Sequence, residues 1–271
     1  MTNKAVAIEF TKMHGIGNDF VVINATKQSL DWQKEFITQL SDRHFGIGFD
    51  QLLIIEPSQQ ADFFCRIYNA DGSEAEQCGN GLRCVARFIH EEGLHKQNDF
   101  TIATIAGVFP IHINDYDHIR VTLSIPKQTE KTLELALPNN LGNITVNVLS
   151  LGNPHAIVKS PALESTSIHE IATAISSHAY FPNGVNVGFM QIQNPHHVRL
   201  RTIERGSGET NACGSNACAA ALSGIQQKLL SSPVTVEFCH GALSIEWDEA
   251  KELLTMTGPA TRVFSGTILL P

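Results

Sequence analysis

The sequence predicts a mixed α/β protein, of the α+β type, built from two similar domains. The first observation is a motif that occurs twice: a polar, acidic loop ends in a Cys-Gly pair, once at Cys78-Gly79 and once at Cys213-Gly214. The second is a helical spacing of apolar residues after each pair. The third is a matched order of strand and turn patterns in the two halves. A duplicated domain explains all three, and ligands commonly bind in the cleft between two such halves.

The first half begins with strand patterns on both sides of a glycine-rich loop. Strands are predicted at 8–10, 20–23, 51–55 and 63–68. After Cys78 a helix is predicted by apolar residues at positions i, i+3, i+4 and i+7, which are Leu82, Val85, Ala86 and Ile89. A hairpin that turns near Gly107 and a strand at 119–126 complete this half.

The second half retraces this order. Strands are predicted at 144–151, 186–192, 198–203, 234–238, 243–247 and 253–259. Helical spacing appears twice, in Ile168, Ile171, Ala172 and Ile175, and after Cys213 in Cys218, Ala221, Leu222 and Ile225. The turn glycine lies 29 residues after the lead cysteine in the first half and 28 in the second. We expect the domain boundary in the polar stretch 126–143.

Each lead cysteine lies at the predicted start of a helix, where the first backbone N–H groups lack partners within the helix and carry partial positive charge. A thiol there ionises more easily, and the amides beside it can bind an anion. A thiolate and a thiol on opposite faces of a substrate could remove a proton from carbon and return one to the other face. The sequence shows no pyridoxal-lysine motif and no phosphate-binding motif. The pattern therefore predicts an enzyme that inverts a C–H centre with groups of its own.

Composition and charge exclude several classes of function. A net charge of −8 and a pI near 5.8 argue against nucleic acid as a partner. No stretch approaches the roughly 20 apolar residues of a membrane span, and no secretion signal is evident. We therefore expect a cytoplasmic protein with no membrane partner, whose six cysteines are thiols. Those outside the Cys-Gly pairs are expected to pack in the core: Cys65, Cys84, Cys218 and Cys239.

A metal-binding or thiol-redox protein without catalytic activity is the alternative from a different class. Its cysteine intervals would be Cys78-x5-Cys84 and Cys213-x4-Cys218, without the close pairs or the nearby histidine that zinc sites commonly use. We accordingly predict no metal ligands, and metal analysis of the purified protein would distinguish the two hypotheses.

Several motifs in order resemble those of the diaminopimelate epimerase family. They are Met13-His-Gly-Ile-Gly-Asn-Asp-Phe20, Gly48-Phe-Asp-Gln51, Asn69-Ala-Asp-Gly-Ser73, Gln77-Cys-Gly-Asn-Gly81, Gly152-Asn-Pro-His155, Asn186-Val-Gly-Phe-Met190 and Glu204-Arg-Gly-Ser-Gly-Glu-Thr210 with Ala212-Cys-Gly214. Each motif is weak alone, but together and in order they are highly specific.

The resemblance implies an enzyme without metal or PLP that interconverts LL- and meso-2,6-diaminopimelate, in lysine and peptidoglycan precursor biosynthesis. It also implies two pseudo-symmetric domains, each a mostly antiparallel β-sheet wrapped around a central helix, with the active site in the cleft between them, and a homodimer. The C-terminal tail would return to the first domain. The expected domains are thus 1–125 with 262–271, and 126–261.

By position, the resemblance makes Cys78 and Cys213 the acid/base pair. The carboxylate at the reacting centre is assigned to the amides of Gly79, Asn80, Gly214 and Ser215. Recognition of the distal L-centre is assigned to Asn18, Asn69, Asn153, Asn186 and Arg205, with Gln51 lining the pocket. His155 and Glu204 would orient the reacting ammonium group or assist the thiols.

One position departs from the family pattern. After Cys213-Gly-Ser the family usually has another glycine, whereas this chain has Asn216. A β-carbon there bears on how closely the substrate or the facing domain can approach, although asparagine is tolerated in a first helical turn and we expect activity to be retained. The nearest alternative is another two-cysteine amino-acid racemase, similar to proline racemase. Arg205 and the asparagine set argue against it, because proline lacks a second charged amino-acid end.

Overall fold

The computed structural model describes residues 6–27, 32–125, 131–164 and 167–270. The chain divides into two compact units: unit 1 comprises Met1–Val121 and Gly258–Pro271, and unit 2 comprises Thr122–Thr257. The sequence placed the boundaries after residues 125 and 261. Residues 126–130, where the expected boundary stretch begins, lie outside the described residues. The exact extent of the two epimerase domains stays a prediction.

Unit 1 contains a mostly antiparallel sheet and two helices. Its strands are β1 (Val6–Gly15), β2 (Asn18–Asn24), β3 (Gln51–Glu56), β4 (Phe63–Asn69), β5 (Glu74–Ala75), β6 (Asp99–Thr104), β7 (Gly107–Ile113), β8 (Ile119–Ser124), which runs past the unit boundary, and β18 (Thr261–Leu270). Its helices are α1 (Lys34–Ser41) and α2 (Gly79–Glu91). The pairs β2–β3 and β4–β6 are parallel, and the C-terminal strand β18 pairs antiparallel with β1.

Unit 2 has the same kind of sheet. Its strands are β9 (Lys131–Leu137), β10 (Gly142–Ser150), β11 (Pro154–Lys159), β12 (Asn186–Asn194), β13 (His197–Glu204), β14 (Gly208–Thr210), β15 (Val234–Phe238), β16 (Gly241–Asp248) and β17 (Leu253–Gly258). Its helices are α3 (Ile168–Ser176) and α4 (Gly214–Gln226). The pairs β11–β12 and β13–β15 are parallel, whereas β12–β13 and β15–β16 are antiparallel.

The two units repeat one order of elements. In unit 1 the order β1-β2-α1-β3-β4-β5-α2 is followed by β6-β7-β8, and in unit 2 the order β10-β11-α3-β12-β13-β14-α4 is followed by β15-β16-β17. The parallel pair β2–β3 corresponds to β11–β12, and β4–β6 corresponds to β13–β15. The helices α2 and α4 are both 13 residues long. The predicted duplication of an α+β domain is therefore confirmed.

The helix after each lead cysteine is the centre of its unit. In α2 the predicted apolar residues Leu82, Val85, Ala86 and Ile89 are all buried. In α4 burial is continuous from Asn216 to Gly224, so this part of the helix has no solvent-exposed face. A helix buried on all sides needs small or apolar residues on every face, which explains its alanines. Each helix packs against the strands of its own unit, which wrap around it.

Two local expectations need correction. The sequence treated 152–155 as a loop, but β11 begins at Pro154, where a proline is accepted because the first residue of a strand need not donate to the ladder. Cys239 is exposed rather than in the core, because β15 ends one residue earlier and Cys239 lies in the turn before Gly241. The predicted core positions of Cys65, Cys84 and Cys218 are confirmed.

Candidate active site

Cys78 is the N-cap residue of α2. Its backbone is extended, with φ −149° and ψ 106°, and the backbone N–H of Gly81 donates to its Sγ over 3.4 Å. This bond satisfies one of the N–H groups that a helix start leaves without an intrahelical partner. A Cβ at position 81 would lie only 3.1 Å from the Leu53 side chain, so glycine permits this close packing. The prediction that Cys78 stands at a helix start is confirmed.

An amide network surrounds Cys78. The Oδ1 of Asn18 lies 4.0 Å from Cys78 Sγ and accepts a hydrogen bond of 3.2 Å from Asn80 Nδ2. The fully buried Arg83 donates from Nη2 to Asn80 Oδ1 at 2.9 Å. The other end of the Asn18 amide donates to Asp50 Oδ2 at 2.8 Å. Both ends of Asn18 are thus held, and its oxygen is fixed on the side of the thiol.

Three predicted binding residues lie at one edge of the unit 1 sheet. Asn18 begins β2, Gln51 begins the parallel neighbour β3, and Asn69 ends the antiparallel β4. Gln51 Nε2 donates to Asn69 Oδ1 at 2.9 Å, and Asn69 Nδ2 donates to Ser73 Oγ at 3.0 Å. Their spacing in the sequence does not show that they meet. They meet because β2 and β3 are parallel and β4 is antiparallel to β3, so the starts of β2 and β3 and the end of β4 lie at the same edge.

A cluster of charged residues supports this edge. Asp19 Oδ2 lies 2.5 Å from Lys12 Nζ, and both carboxylate oxygens of Asp19 accept from Arg43 at 2.7 and 2.9 Å. Burial alone would raise the pKa of Asp19, but the hydrogen bonds from Arg43 and Lys12 lower it to about 2. Sequence reasoning missed this cluster. Its only signal was that a lysine and an aspartate flank the loop Met13–Asn18.

Cys213 is the N-cap residue of α4, with φ −126° and ψ 114°. Its Sγ lies 3.1 Å from Glu204 Oε2 and 3.4 Å from Ser215 Oγ. Burial and the charge of Glu204 raise the pKa of the Cys213 thiol well above its ordinary value. The expectation that a helix-start thiol ionises more easily is therefore wrong for Cys213. Its helix-start position, by contrast, is confirmed.

Glu204 is held in place from its other side. Thr210 Oγ1, at the end of the hairpin strand β14, donates to Glu204 Oε1 at 2.5 Å. The two oxygens of Glu204 thus face different partners, Thr210 and Cys213. The structure brings Glu204 together with Cys213, as the resemblance suggested for a residue that assists the thiol.

His155 is fully buried on β11, beside Asn186 on the parallel strand β12. Its Nε2 lies 2.8 Å from Asn153 Oδ1 and its Nδ1 lies 3.4 Å from Asn216 Oδ1. Burial lowers the pKa of His155 to about 4, while the contact with Asn216 opposes the shift. The ring is therefore neutral near pH 7.

Asn186 holds the backbone around this site. Its Nδ2 donates to the carbonyl of Pro154 at 3.2 Å, and its Oδ1 accepts from the backbone N–H of Arg205 at 3.0 Å. The Arg205 guanidinium is exposed and donates to the carbonyl of Asn183 at 3.3 Å. Asn186 thus positions Arg205, and its direct contact with a substrate stays a prediction.

Asn216 does not obstruct the start of α4. Its side chain is fully buried, and its Nδ2 donates to the carbonyl of Val187 at 3.3 Å and to Thr202 Oγ1. A Cβ at position 188 would lie 2.8 Å from Asn216 Oδ1, so Gly188 provides the space. The Asn216 side chain is thus directed into the sheet of unit 2, and the expectation that activity is retained stays a prediction.

Metal-ligand clusters and membrane-spanning helices are both absent from the residues that the structure describes. Within 6–27, 32–125, 131–164 and 167–270, no group of three or more His, Cys, Asp or Glu side chains is placed to hold a metal ion. Over the same ranges, no helix has the length and apolar character needed to cross a bilayer.

The sequence pattern of the diaminopimelate epimerase family matches residues 10–127 and 147–263, which include both cysteine loops. The chain belongs to this family. A diaminopimelate epimerase of Acinetobacter baumannii (strain AYE) is 46% identical over 276 residues, covering 96% of this chain and 97% of the relative. The diaminopimelate epimerase of Nitrosomonas europaea is 44% identical, covering 96% and 98%.

Solved structures outside the diaminopimelate epimerase family share the fold. A probable proline racemase from Agrobacterium radiobacter K84 has a TM-score of 0.76 at 15% identity, covering 97% of this chain and 93% of that one. A hydroxyproline epimerase from Agrobacterium vitis, solved with trans-4-hydroxy-L-proline, has a TM-score of 0.74 at 15% identity with the same coverage. At this identity the likeness concerns the fold alone.

Proposed function

We propose that this chain interconverts LL- and meso-2,6-diaminopimelate without PLP, as a step of lysine and peptidoglycan precursor biosynthesis. The observation that carries the proposal is the pair of cysteines at two helix starts, in a chain that matches the diaminopimelate epimerase family through both loops. Relatives named for this activity, with more than two fifths of their residues identical, support the same substrate.

In the proposed reaction the two cysteines act on opposite faces of one α-carbon. Cys213 supplies the proton, because burial and the neighbouring Glu204 favour its thiol form. Cys78 removes the proton from the other face; its sulfur accepts the N–H of Gly81 at the start of α2, a contact that suits a thiolate. In the reverse direction the two residues exchange roles.

The start of each helix would stabilise the reacting carboxylate. The backbone N–H groups of Gly79 and Asn80, and those of Gly214 and Ser215, belong to first turns, where N–H groups face out of the helix end. Charge that develops on the carboxylate as the α-proton leaves is stabilised by such donors. This arrangement supplies the stabilisation that a cofactor would otherwise provide.

The remaining polar residues suit the distal end of the substrate. Asn18, Gln51 and Asn69 line one edge of unit 1, and Asn153 and Arg205 lie at the matching edge of unit 2. The exposed Arg205 guanidinium suits a carboxylate. A second charged amino-acid end favours diaminopimelate over proline, which has only one.

Proton exchange in deuterated water tests the proposal. LL-diaminopimelate and L-proline are each incubated with the wild type and with Cys78→Ala, and mass spectrometry with chiral chromatography follows exchange and inversion. We expect inversion only for diaminopimelate and only with Cys78 present. Inversion by Cys78→Ala at the wild-type rate would falsify the proposal. Stoichiometric zinc in the purified protein would instead favour the metal-binding alternative, whereas epimerase activity that survives a chelator would exclude it.

A homodimer in the cytoplasm completes the proposal. The C-terminal strand β18 carries three exposed apolar side chains, Val263, Phe264 and Leu269, which are 54, 49 and 68% exposed, and exposed apolar residues on a strand are suited to cover by a second copy. All six cysteines are free thiols, as in proteins of reducing compartments. Sedimentation analysis of the wild type and of Leu269→Lys tests the dimer, which we expect to weaken in the variant.

A further inference from the structure

The His155 ring is fixed between two asparagine side chains that differ in freedom. Asn216 meets Nδ1 from the interior, where its own side chain is fully buried, and Asn153 meets Nε2 from a half-buried turn. A neutral imidazole has one N–H and one lone pair, so its two nitrogens require one acceptor and one donor. The less adaptable neighbour decides which nitrogen carries the proton.

Asn216 is the less adaptable neighbour. Its Nδ2 donates to the carbonyl of Val187 at 3.3 Å, and a carbonyl can only accept. Turning the amide over would place its oxygen against the Val187 carbonyl oxygen in a fully buried position, which is unfavourable because neither oxygen can donate. Asn216 therefore presents Oδ1, an acceptor, to His155 Nδ1.

We propose that Asn216 is a positioning residue that fixes His155 in the tautomer protonated at Nδ1. The Nε2 lone pair then faces Asn153. In the structure Asn153 Oδ1 lies 2.8 Å from Nε2, so this tautomer requires the Asn153 amide to turn over, which places Nδ2 as the donor and Oδ1 on the opposite side. The alternative tautomer would keep the 2.8 Å contact from Nε2 to Asn153 Oδ1 but would set the Nδ1 lone pair against the buried Asn216 oxygen. Asn153 can turn to avoid such a conflict, and Asn216 cannot.

The consequence is a relay with a defined direction. Val187 C=O accepts from Asn216, Asn216 accepts from His155, and His155 accepts from Asn153. The Asn153 oxygen is left as an acceptor for a cationic group. This last step rests on the proposed function, in which the cation is an ammonium group of diaminopimelate; the tautomer itself does not depend on it. Asn216 thereby sets which end of the Asn153 amide, a predicted binding group, is left to meet the substrate.

Nitrogen NMR of the whole protein tests the tautomer directly. Long-range ¹H–¹⁵N spectra of histidine-labelled protein near pH 7 are recorded for the wild type, with the His155 signals assigned by their loss in His155→Gln. We expect a pyrrole-type shift for Nδ1 and a pyridine-type shift for Nε2. The reverse assignment in the wild type overturns the proposal, whatever the activity of any variant.

Two substitutions sharpen this test. In Asn216→Gly a water molecule can take either role beside Nδ1, so we expect the His155 shifts to move towards a mixture of tautomers. Thr202→Val is the matched control: it removes one partner of Asn216 Nδ2 but keeps Val187 C=O, so the Nδ1–H tautomer should persist. Unchanged His155 shifts in Asn216→Gly would show that Asn216 does not select the tautomer.

Steady-state kinetics distinguish a failure of this inference from a failure of the proposed function. For Asn216→Gly we expect KM for diaminopimelate to rise about fivefold with little change in kcat, since one oriented hydrogen bond to the substrate is weakened. Absence of activity in the wild type would contradict the proposed function and leave the NMR result to decide the tautomer. The predicted tautomer with an unchanged KM in the variant would contradict the link to Asn153.

Discussion

Cys78 and Cys213 occupy the same place in two copies of one fold but have different surroundings. Both are extended N-cap residues of 13-residue central helices. Beside Cys78 the structure places the amide of Asn18 and the N–H of Gly81, whereas beside Cys213 it places the carboxylate of Glu204. Duplication has kept the backbone frame and changed the charge. We infer that this difference favours the thiol form of Cys213 before turnover, whereas each cysteine acts as acid in one direction of the reaction and as base in the other.

The supporting residues differ in the same way. At the edge of unit 1, amides are fixed by the ion pairs of Lys12, Asp19 and Arg43. At the matching edge of unit 2, the neutral His155 is fixed by asparagines in the interior. One edge is therefore held by charges and the other by neutral hydrogen bonds, so the two units should respond differently to pH and to substitution.

The largest expected effect comes from removing each thiol in turn. Cys78→Ala and Cys213→Ala should each lose inversion by a factor of about 10²–10⁴, since each lacks one acid/base group. Exchange without inversion should persist with one isomer in Cys78→Ala and with the other isomer in Cys213→Ala, because the remaining thiol still meets one face. Deuterium content of the recovered starting isomer is the measurement. Exchange with the same isomer in both variants would contradict the assignment of one face to each cysteine.

The next effect concerns the stability that unit 2 loses in acid because His155 is buried as a neutral ring. Its pKa is about 4 in the fold and 6.5 in a free side chain, so between these values the unfolded chain binds more protons. Stability should be complete above pH 6.5 and fall as pH drops towards 4, by about 2 kcal/mol at pH 4.5. Urea unfolding at pH 7 and pH 4.5 measures it, and His155→Gln should lack this part of the pH slope.

His112 provides the control for that experiment. It is only half-buried, and its hydrogen bond with Asp99 raises its pKa. A raised pKa adds stability below the unfolded value that is lost as pH rises, so His112→Gln should change the slope in the opposite direction. Equal slopes in the wild type and His155→Gln would show that His155 is not buried as a neutral ring.

A smaller effect is expected when the Glu204 carboxylate beside Cys213 is replaced by an amide. Glu204→Gln removes the negative charge that helps to raise the pKa of Cys213, so its thiolate should form more readily. Alkylation of Cys213 by iodoacetamide at pH 8 should be roughly several-fold faster, because the thiolate is the form that reacts. Peptide mass spectrometry measures the rate. Glu209→Gln is the control: Glu209 lies in the neighbouring strand β14 and pairs with Arg201, so its loss should leave the alkylation rate unchanged.

The sequence predicted what depends on local pattern. The helix starts at Cys78 and Cys213 follow from the spacing of apolar residues, and the hairpin glycines Gly107 and Gly241 both begin strands as expected. It could not predict the partner of Glu204 or the direction of Asn216, because these depend on strands that meet only in the fold. The ease of ionisation of Cys213 was predicted wrongly for the same reason. Burial and Glu204, which outweigh the helix start, are not local features.

The smallest expected effect tests the ion pairs at the edge of unit 1. The pKa of Asp19 is lowered to about 2 in the fold, so its stabilisation is present above 3.8 and is lost as pH falls towards 2. Asp19→Asn should therefore lower the free energy of unfolding at pH 7 by about 1–2 kcal/mol, a value reduced for solvent screening. Asp50→Asn is the matched control: burial and the nearby Asp19 raise the pKa of Asp50, so removing its charge should cost less. Urea unfolding measures the free energy of unfolding of both variants. A larger decrease in Asp50→Asn than in Asp19→Asn would show that Asp19 is not the main stabilising residue of this edge.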